Sequence, residues 1–193
     1  MWISKDDEPL QFSISTSNVP ELKAVANILK DTWGKVGAKV EIKIFEAGNL
    51  NQNIIRPREY EALLFGEVIG RDLDLFAFWH SSQRNDPGLN IALYANITAD
   101  KLLEKGRTLT NTDLRNKTYL RFEEEVKKDI PAIFLYSPDF IYILPERIQG
   151  VSIGSITTSG DRFLNVNEWF IRTDKVWKIF SKNNIINKDI TKD

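Results

Sequence analysis

Apolar and polar residues alternate near the start of the chain in a way that predicts a strand. Apolar residues at 10, 12 and 14 are separated by polar residues at 11, 13 and 15, a period of two that is typical of a strand with one buried face. The alternation returns at 40, 42 and 44. Between the two, apolar residues recur at steps of three and four, which predicts a helix with one stripe toward the core: Leu22, Val25, Ala26, Leu29, Trp33 and Val36.

The order strand, helix, strand predicts a right-handed βαβ unit with parallel strands. Residues at the ends of the predicted helix support its bounds. Ser17 and Asn18 can cap the first turn, and Pro20 suits a position whose N–H has no helical partner. Gly37 is expected to end the helix.

The rest of the chain continues to alternate between the two periods. A short helix is predicted at 49–55, because Pro57 disfavours helical geometry at the residue before it. The apolar run at 62–65 predicts a strand covered on both faces. Two helices should follow, one starting at Thr98 and one after the capping sequence at 110–113. The inward stripe of the second comprises Leu114, Thr118, Tyr119, Phe122, Val126 and Ile130.

Two further strands are predicted at 132–136 and 140–144, separated by a turn-forming cluster. Together these elements predict an α/β fold with a mixed β-sheet flanked by helices. At 193 residues, 42% of them hydrophobic, the chain can bury one substantial core. The final residues, from 174 onward, are polar and are expected to form a tail.

Composition excludes several classes of function. The chain has 26 basic and 27 acidic residues, so no overall field favours nucleic acid. It has no cysteine, which excludes disulfides and thiolate chemistry. No apolar run approaches the roughly 20 residues that cross a bilayer, and the first residues lack the pattern of a signal peptide.

A catalytic site is not predicted. His80 is the only histidine, so any Ser-His-Asp triad would have to include it, and Ser81 and Ser82 lie on the same local segment. We expect His80 to be a hydrogen-bonded or partly exposed loop residue. One histidine without cysteine also leaves no recognisable metal-binding pattern. We therefore predict a protein that is not an enzyme and has neither a metal nor a cofactor.

The segment after the predicted strand at 62–65 is the best candidate for a ligand site. It opens on Gly66, and strand ends followed by glycine-rich loops are common ligand sites in α/β proteins. Charged residues and the aromatic residues Phe76, Phe78 and Trp79 follow. Two interpretations of Trp79 remain open here. It can contact ligand, or it can form a helical turn with Phe76 that packs on the core.

In their order and spacing, three segments resemble the C-terminal lobe of the family 5 extracellular solute-binding proteins, the peptide receptors of bacterial ABC importers. The first is the strand, helix and strand of 10–46. The second is 56–64, with the sequence RPREYEALL, and the third is 129–138, with the sequence DIPAIFLYSP. The resemblance covers roughly 10–171 and implies a periplasmic-binding-protein type II-like lobe.

The resemblance also implies a site and a mode of binding. In the family, the strand end equivalent to 66–69 offers main-chain hydrogen bonds to a peptide backbone, which is strand addition. The family often places an aspartate after this strand to hold the ligand's amino terminus, whereas this chain has Gly70. The residues predicted to contact ligand are Gly66, Glu67, Val68, Ile69, Gly70, Arg71, Asp72 and Trp79.

The resemblance further implies a domain plan and partners. Residues 1–9 would be a linker, 10–150 the solute-binding lobe, 151–173 a segment returning toward a missing N-terminal lobe, and 174–193 the polar tail. Partners would be a peptide or other small solute, the missing lobe and the ABC permease subunits, with no nucleic acid. The full-length protein would be extracytoplasmic and membrane-associated, its export signal carried by the part that precedes this chain.

Two other functions stay open at this point. The chain can be a stand-alone protein-interaction module that kept the lobe fold without a transport role, using surfaces around Trp33, Trp79 or Trp169. An α/β hydrolase-like enzyme has the weakest support, because any triad would have to be built around the single histidine, His80.

Overall fold

The computed structural model describes residues 10–70, 74–154 and 156–171. The chain divides into two compact units, with the boundary between Leu135 and Tyr136. Each unit has its own hydrogen bonds and side-chain clusters, and each is described by itself below. None of the helices in the described ranges is long and apolar enough to cross a membrane.

A three-stranded parallel sheet organises the first part of the first unit. It consists of β1 (Gln11–Ser17), β2 (Lys39–Phe45) and the short β3 (Ala62–Leu63), in the order β2-β1-β3. The helix α1 (Pro20–Lys35) connects β1 to β2. The parallel strands and the connecting helix were predicted from the two periods, and both are confirmed. Since all three strands are parallel, their carboxyl ends share one edge of the sheet.

The central strand β1 is buried on both faces, which corrects the prediction of a single buried face. Its last five residues are buried, including Ser13 and Ser15. A buried hydroxyl needs a hydrogen-bond partner. Ser13 finds one in Glu61, whose carboxylate lies 2.6 Å from the Ser13 Oγ and 2.8 Å from its peptide nitrogen. Small hydroxyl side chains can therefore occupy a covered sheet face that an alternation rule assigns to solvent.

The helix α1 packs on the sheet through most of its predicted stripe. Leu22, Val25, Leu29 and Trp33 surround a buried cluster of Ile14, Ala26, Val40 and Leu64. The Trp33 and Phe12 rings lie 5.3 Å apart. Two details of the prediction are wrong. Val36 is 49% exposed because the helix ends at Lys35, and Val19 rather than Ser17 or Asn18 is the residue before the first turn.

The chain then forms α2 (Ala47–Leu50), which continues as a π-helical turn at Asn51–Ile55. The helix predicted at 49–55 is thus confirmed, with a wider last turn. A second cluster gathers α3 (Phe76–Trp79), α4 (Ile97–Thr108) and α5 (Thr112–Asp129). Its buried members are Trp79, Tyr94, Ala99, Leu102, Leu103, Tyr119, Phe122 and Val126.

The helices α4 and α5 begin at asparagine caps. The Asn96 side chain accepts hydrogen bonds from the peptide nitrogens of Thr98 and Ala99, and the Asn111 side chain accepts one from that of Leu114. The middle of the predicted α5 stripe is buried, from Thr118 to Val126. Its ends are not, since Leu114 is 52% and Ile130 70% exposed. The buried part of the α5 stripe is therefore shorter than the stripe that the sequence predicts.

The strands predicted at 132–136 and 140–144 are wrong. Both ranges run without regular secondary structure, and most of their apolar side chains are open to solvent, as in Phe134 at 71% and Ile143 at 87% exposure. High β-propensity needs a neighbouring strand, because an isolated strand gains no ladder hydrogen bonds. In the described residues no strand pairs with either range.

The second unit contains a two-stranded antiparallel sheet of β4 (Ile148–Gln149) and β5 (Phe170–Ile171). Two 3₁₀ turns, at Ser159–Phe163 and Val166–Glu168, lie between the strands. The rings of Tyr142, Phe163 and Trp169 pack against one another with centroids 5.8 to 6.4 Å apart. This ring cluster lies in the sequence range 136–171 and supplies that unit's own packing.

Candidate functional site

The strand β3 is held firmly to β1 up to Leu64, which positions the segment that follows. At its start, Glu61 accepts two hydrogen bonds from Ser13, and these hydrogen bonds lower the pKa of the Glu61 carboxyl. At its end, the Leu64 peptide nitrogen donates to the Ser15 carbonyl over 2.9 Å, and the Thr16 hydroxyl donates to the Leu64 carbonyl over 2.9 Å. Thr16 is fully buried. The chain therefore leaves the sheet at a defined place.

Residues 66–70, which we call the arm, have peptide groups that pair with no other described residue. In the described part of the chain, no hydrogen bond involves the N–H or carbonyl groups of these residues. Val68 is 66% exposed, and Gly66 and Gly70 have open space where a side chain would stand. Because β3 is an edge strand, the arm continues an edge that is free to add another strand.

The two glycines of the arm are not required by the fold. A Cβ at Gly66 or Gly70 would meet no atom within 4 Å, and neither residue has a positive φ. The backbone geometry of both positions is therefore open to other residues. Glycine leaves the peptide groups of the arm uncovered by side chains, which is what a close approach of another backbone requires.

Two polar residues missed by sequence reasoning lie at the same edge of the sheet. The Asn18 side-chain amide donates to the Glu46 carboxylate over 2.6 Å, and the Asn18 peptide nitrogen donates to the Phe45 carbonyl over 2.8 Å. The pair ties the carboxyl ends of β1 and β2 together. A signal was present in the sequence, because each residue lies within three positions of the end of a predicted strand, and parallel strands end at a common edge.

Glu67 is the ionisable residue of the arm. Burial raises the pKa of its carboxyl from 4.5 to about 7. The Glu67 charge also contributes to the raised pKa of Tyr60, for which burial of the phenol is the larger cause. The Tyr60 hydroxyl donates to the Ile91 carbonyl. Because the residue as a whole is exposed, a cationic ligand group can reach the Glu67 carboxyl and would favour its ionised form.

The Glu67 carboxyl should make the stability of the chain depend on pH. Its folded pKa of about 7 lies above the unfolded value of 4.5, so its contribution is complete below pH 4.5 and is lost as the pH rises through 7. The change is small, because the residue as a whole is exposed and solvent screens it. The free energy of unfolding, measured with denaturant between these pH values, should depend less on pH in Glu67→Gln than in the unchanged protein. Parallel profiles for the two proteins would contradict this assignment.

The other residues predicted to contact ligand are placed differently. Arg71 and Asp72 lie outside the described residues. Trp79 is 8% exposed and packs in the cluster of α3, α4 and α5, with its ring centroid 6.2 Å from Tyr94 and 6.3 Å from Phe122. Of the two interpretations of Trp79, the position of the side chain favours the helical turn packed on the core.

His80 is hydrogen-bonded, as predicted for a structural histidine. Its Nδ1 lies 2.8 Å from the Ser82 Oγ, and its Nε2 lies 3.5 Å from Glu104 and 3.9 Å from Asp100. This order resembles a catalytic triad, but the Ser82 peptide N–H also points at Nδ1, over 3.1 Å. The ring thus caps its own local turn, the 3₁₀ turn Ser81–Gln83. Within the described ranges no cluster of three ionisable residues is placed to hold a metal.

Other surface features contribute less to the site. A groove lined by Lys30, Lys35 and Lys39 lies at the amino end of β2. The arm, in contrast, follows the carboxyl end of β3. The surfaces suggested for an interaction module are largely used in packing, since Trp33 contacts Phe12 and Trp79 is in the core. In the second unit, the Trp169 indole donates to Asn165 over 2.9 Å.

Comparison with known proteins gives a consistent set of relatives. No protein-family model matches the chain. It is 26% identical over 150 residues to the oligopeptide-binding protein AppA of Bacillus subtilis, covering 77% of this chain and 27% of that protein. It is 30% identical over 118 residues to protein XP55 of Streptomyces lividans, covering 60% of this chain and 21% of that protein. The chain thus spans about a quarter of the length of these relatives.

Solved structures share the fold. The B. subtilis AppA structure, in complex with a nonapeptide, superposes with a TM-score of 0.68 at 23% identity, over 88% of this chain and 33% of that chain. NikZ of Campylobacter jejuni with Ni(L-His) gives 0.62 at 24% identity, over 86% and 34%. DppA of Helicobacter pylori with the peptide STSA gives 0.58 at 18% identity, over 86% and 32%. The predicted α/β fold of a periplasmic-binding-protein lobe is confirmed.

Proposed function

Since the relatives of this chain are the oligopeptide-binding proteins that its sequence resembles, we propose that it is the C-terminal solute-binding lobe of an ABC-importer receptor. The solute class that we propose is peptide. The relatives AppA and DppA were solved with a nonapeptide and with the peptide STSA. The observation that carries the proposal is the arm, whose unpaired peptide groups extend an edge strand at the carboxyl edge of the sheet.

The arm suits recognition of a peptide through its backbone. An extended peptide laid beside residues 66–70 would pair its N–H and carbonyl groups with those of the arm, as one strand pairs with the next. Such pairing uses atoms that every peptide has, so side chains need only fit permissive pockets. The firm attachment of β3 up to Leu64 supports this role, since it places the arm before ligand arrives.

The remaining features of the proposed receptor rest on the resemblance. A second lobe would close the other side of the ligand, and permease subunits would receive the solute outside the cytoplasm. Residues 10–150 would form the lobe and 151–173 the return toward its partner lobe. Arg71 and Asp72 stay in the proposed contact set as the family-derived part, whereas Trp79 packs in the core. The relatives are binding proteins rather than enzymes, and the proposal assigns no catalytic step to this chain.

The chain alone should bind peptides weakly, because one lobe provides only part of the contacts of a two-lobed cleft. Titration calorimetry of the chain with a mixed peptide library should give no dissociation constant below the millimolar range. A millimolar constant corresponds to a binding free energy of about 4 kcal/mol. The longer protein that carries this chain should bind in the micromolar range or tighter. A micromolar constant for the chain alone would contradict the two-lobed account, and no binding by the longer protein would contradict the proposed function.

A further inference from the structure

The imidazole of His80 is buried but uses only one of its ring nitrogens for hydrogen bonds. The residue is 8% exposed and follows α3 directly. Its Nδ1 lies 3.1 Å from the Ser82 peptide nitrogen and 2.8 Å from the Ser82 Oγ. Its Nε2 is buried without a hydrogen-bond partner in the described residues. The two ring nitrogens therefore have different surroundings.

These surroundings select one tautomer of the neutral ring. A peptide N–H can only donate, so the His80 Nδ1 must present its lone pair to Ser82. The single proton of the neutral ring is then on Nε2. That nitrogen faces two carboxylates of α4, with the Glu104 Oε1 at 3.5 Å and the Asp100 Oδ1 at 3.9 Å.

Charged side chains stand near the ring on several elements. Asp100 also accepts two hydrogen bonds from Ser81, over 2.9 and 2.6 Å, which fixes its carboxylate beside the ring. On α3, the Phe76 ring stacks on the imidazole with centroids 4.1 Å apart. The Arg107 Cζ lies 4.5 Å from the centroid of the Phe76 ring, and the Arg107 Nε forms an ion pair with the Asp74 carboxylate over 3.1 Å. Arg84, the charged residue after the Ser81–Gln83 turn, donates to the Ser81 carbonyl.

We propose that His80 is a proton-dependent switch between two sets of contacts. In the neutral state the ring caps the Ser81–Gln83 turn and donates weakly toward α4. When a proton from solvent binds Nδ1, the lone pair is lost and the Ser82 N–H has no acceptor on the ring. The cationic ring then donates to the Ser82 Oγ and is attracted to Glu104 and Asp100. Acid thus loosens the turn and tightens the contact between α3 and α4.

The test is nuclear magnetic resonance on the chain, with nitrogen-15 spectra of the His80 ring and amide exchange of Ser82 from pH 8 to pH 5. The neutral ring should carry its proton on Nε2. Exchange of the Ser82 amide, corrected for the intrinsic effect of pH, should speed up about tenfold with the same midpoint as the ring. The Thr98 amide is the matched control, because it is capped by Asn96 over 2.8 Å without a histidine, and its protection should not change.

Two variants separate the switch from a purely structural role. In His80→Gln the side-chain oxygen can accept from Ser82 at every pH, so the pH response of the Ser82 amide should disappear. In Glu104→Gln the response should remain, because the contact between Nδ1 and Ser82 does not involve Glu104. Glu104 has 61% of its side chain exposed, so this variant should fold even if the first does not. A neutral ring protonated at Nδ1, or a Ser82 amide that is unchanged while the ring titrates, would overturn the proposal.

Discussion

Replacing Val68 by proline should weaken peptide binding to the full-length receptor by tenfold or more, equivalent to about 1.4 kcal/mol or more. Proline removes the N–H of residue 68 and places its ring where a neighbouring strand would lie. The fold should tolerate the change. Val68 is 66% exposed, and in the described residues its peptide group has no partner to lose.

Val68→Ala is the matched control, because it shortens the side chain and keeps the N–H. Its affinity should stay within about threefold of the unchanged protein, since strand addition depends on the backbone. Thermal unfolding should show that both variants are as stable as the parent. If alanine and proline weaken binding equally, then the side chain rather than the backbone contacts the peptide, and strand addition at the arm is wrong.

Leu103→Ala should reduce the free energy of unfolding by about 2–5 kcal/mol, because it leaves a cavity in a packed cluster. Leu103 is fully buried on α4, among Trp79, Tyr119 and Phe122. Urea unfolding, followed by fluorescence and by circular dichroism, measures the loss as a shift of the midpoint at constant slope.

Leu120→Ala on α5 is the control for this second prediction. It makes the same chemical change within a helix, but Leu120 is 59% exposed, so the loss should stay within about 0.5 kcal/mol. Similar losses for the two variants would mean that the cluster around α4 does not carry the stability of the first unit.

The local period of apolar residues was sufficient to predict the elements that pack on a neighbouring element in the sequence. The stripe from Leu22 to Trp33 predicted α1, and the alternation at 40–44 predicted β2, because each of these elements buries the side chains that set its own period. The same holds for the middle of α5, from Thr118 to Val126. The candidate arm was also predictable, since a strand end followed by glycine is a local signal.

The errors arose where the outcome depends on residues far away in the sequence. Ser13 is buried because Glu61, 48 positions away, accepts its hydrogen bonds. The range 140–144 has the composition of a strand but no strand beside it. The sequence around Trp79 left both a ligand contact and a core position open, and the packing of α4 and α5 around its side chain places it in the core.

The amino-acid sequence by itself thus determined the order of elements from β1 to β3, the helices α4 and α5, the α/β class, the resemblance to solute-binding receptors and the place of the arm. These depend on short-range periods and on the side chains that each element presents. Only the tertiary structure decided that β1 is covered on both faces, that the peptide groups of the arm have no partner among the described residues, and that Asn18 and Glu46 meet. Burial and hydrogen-bond satisfaction are properties of pairs of segments, and the sequence of one segment does not contain its partner.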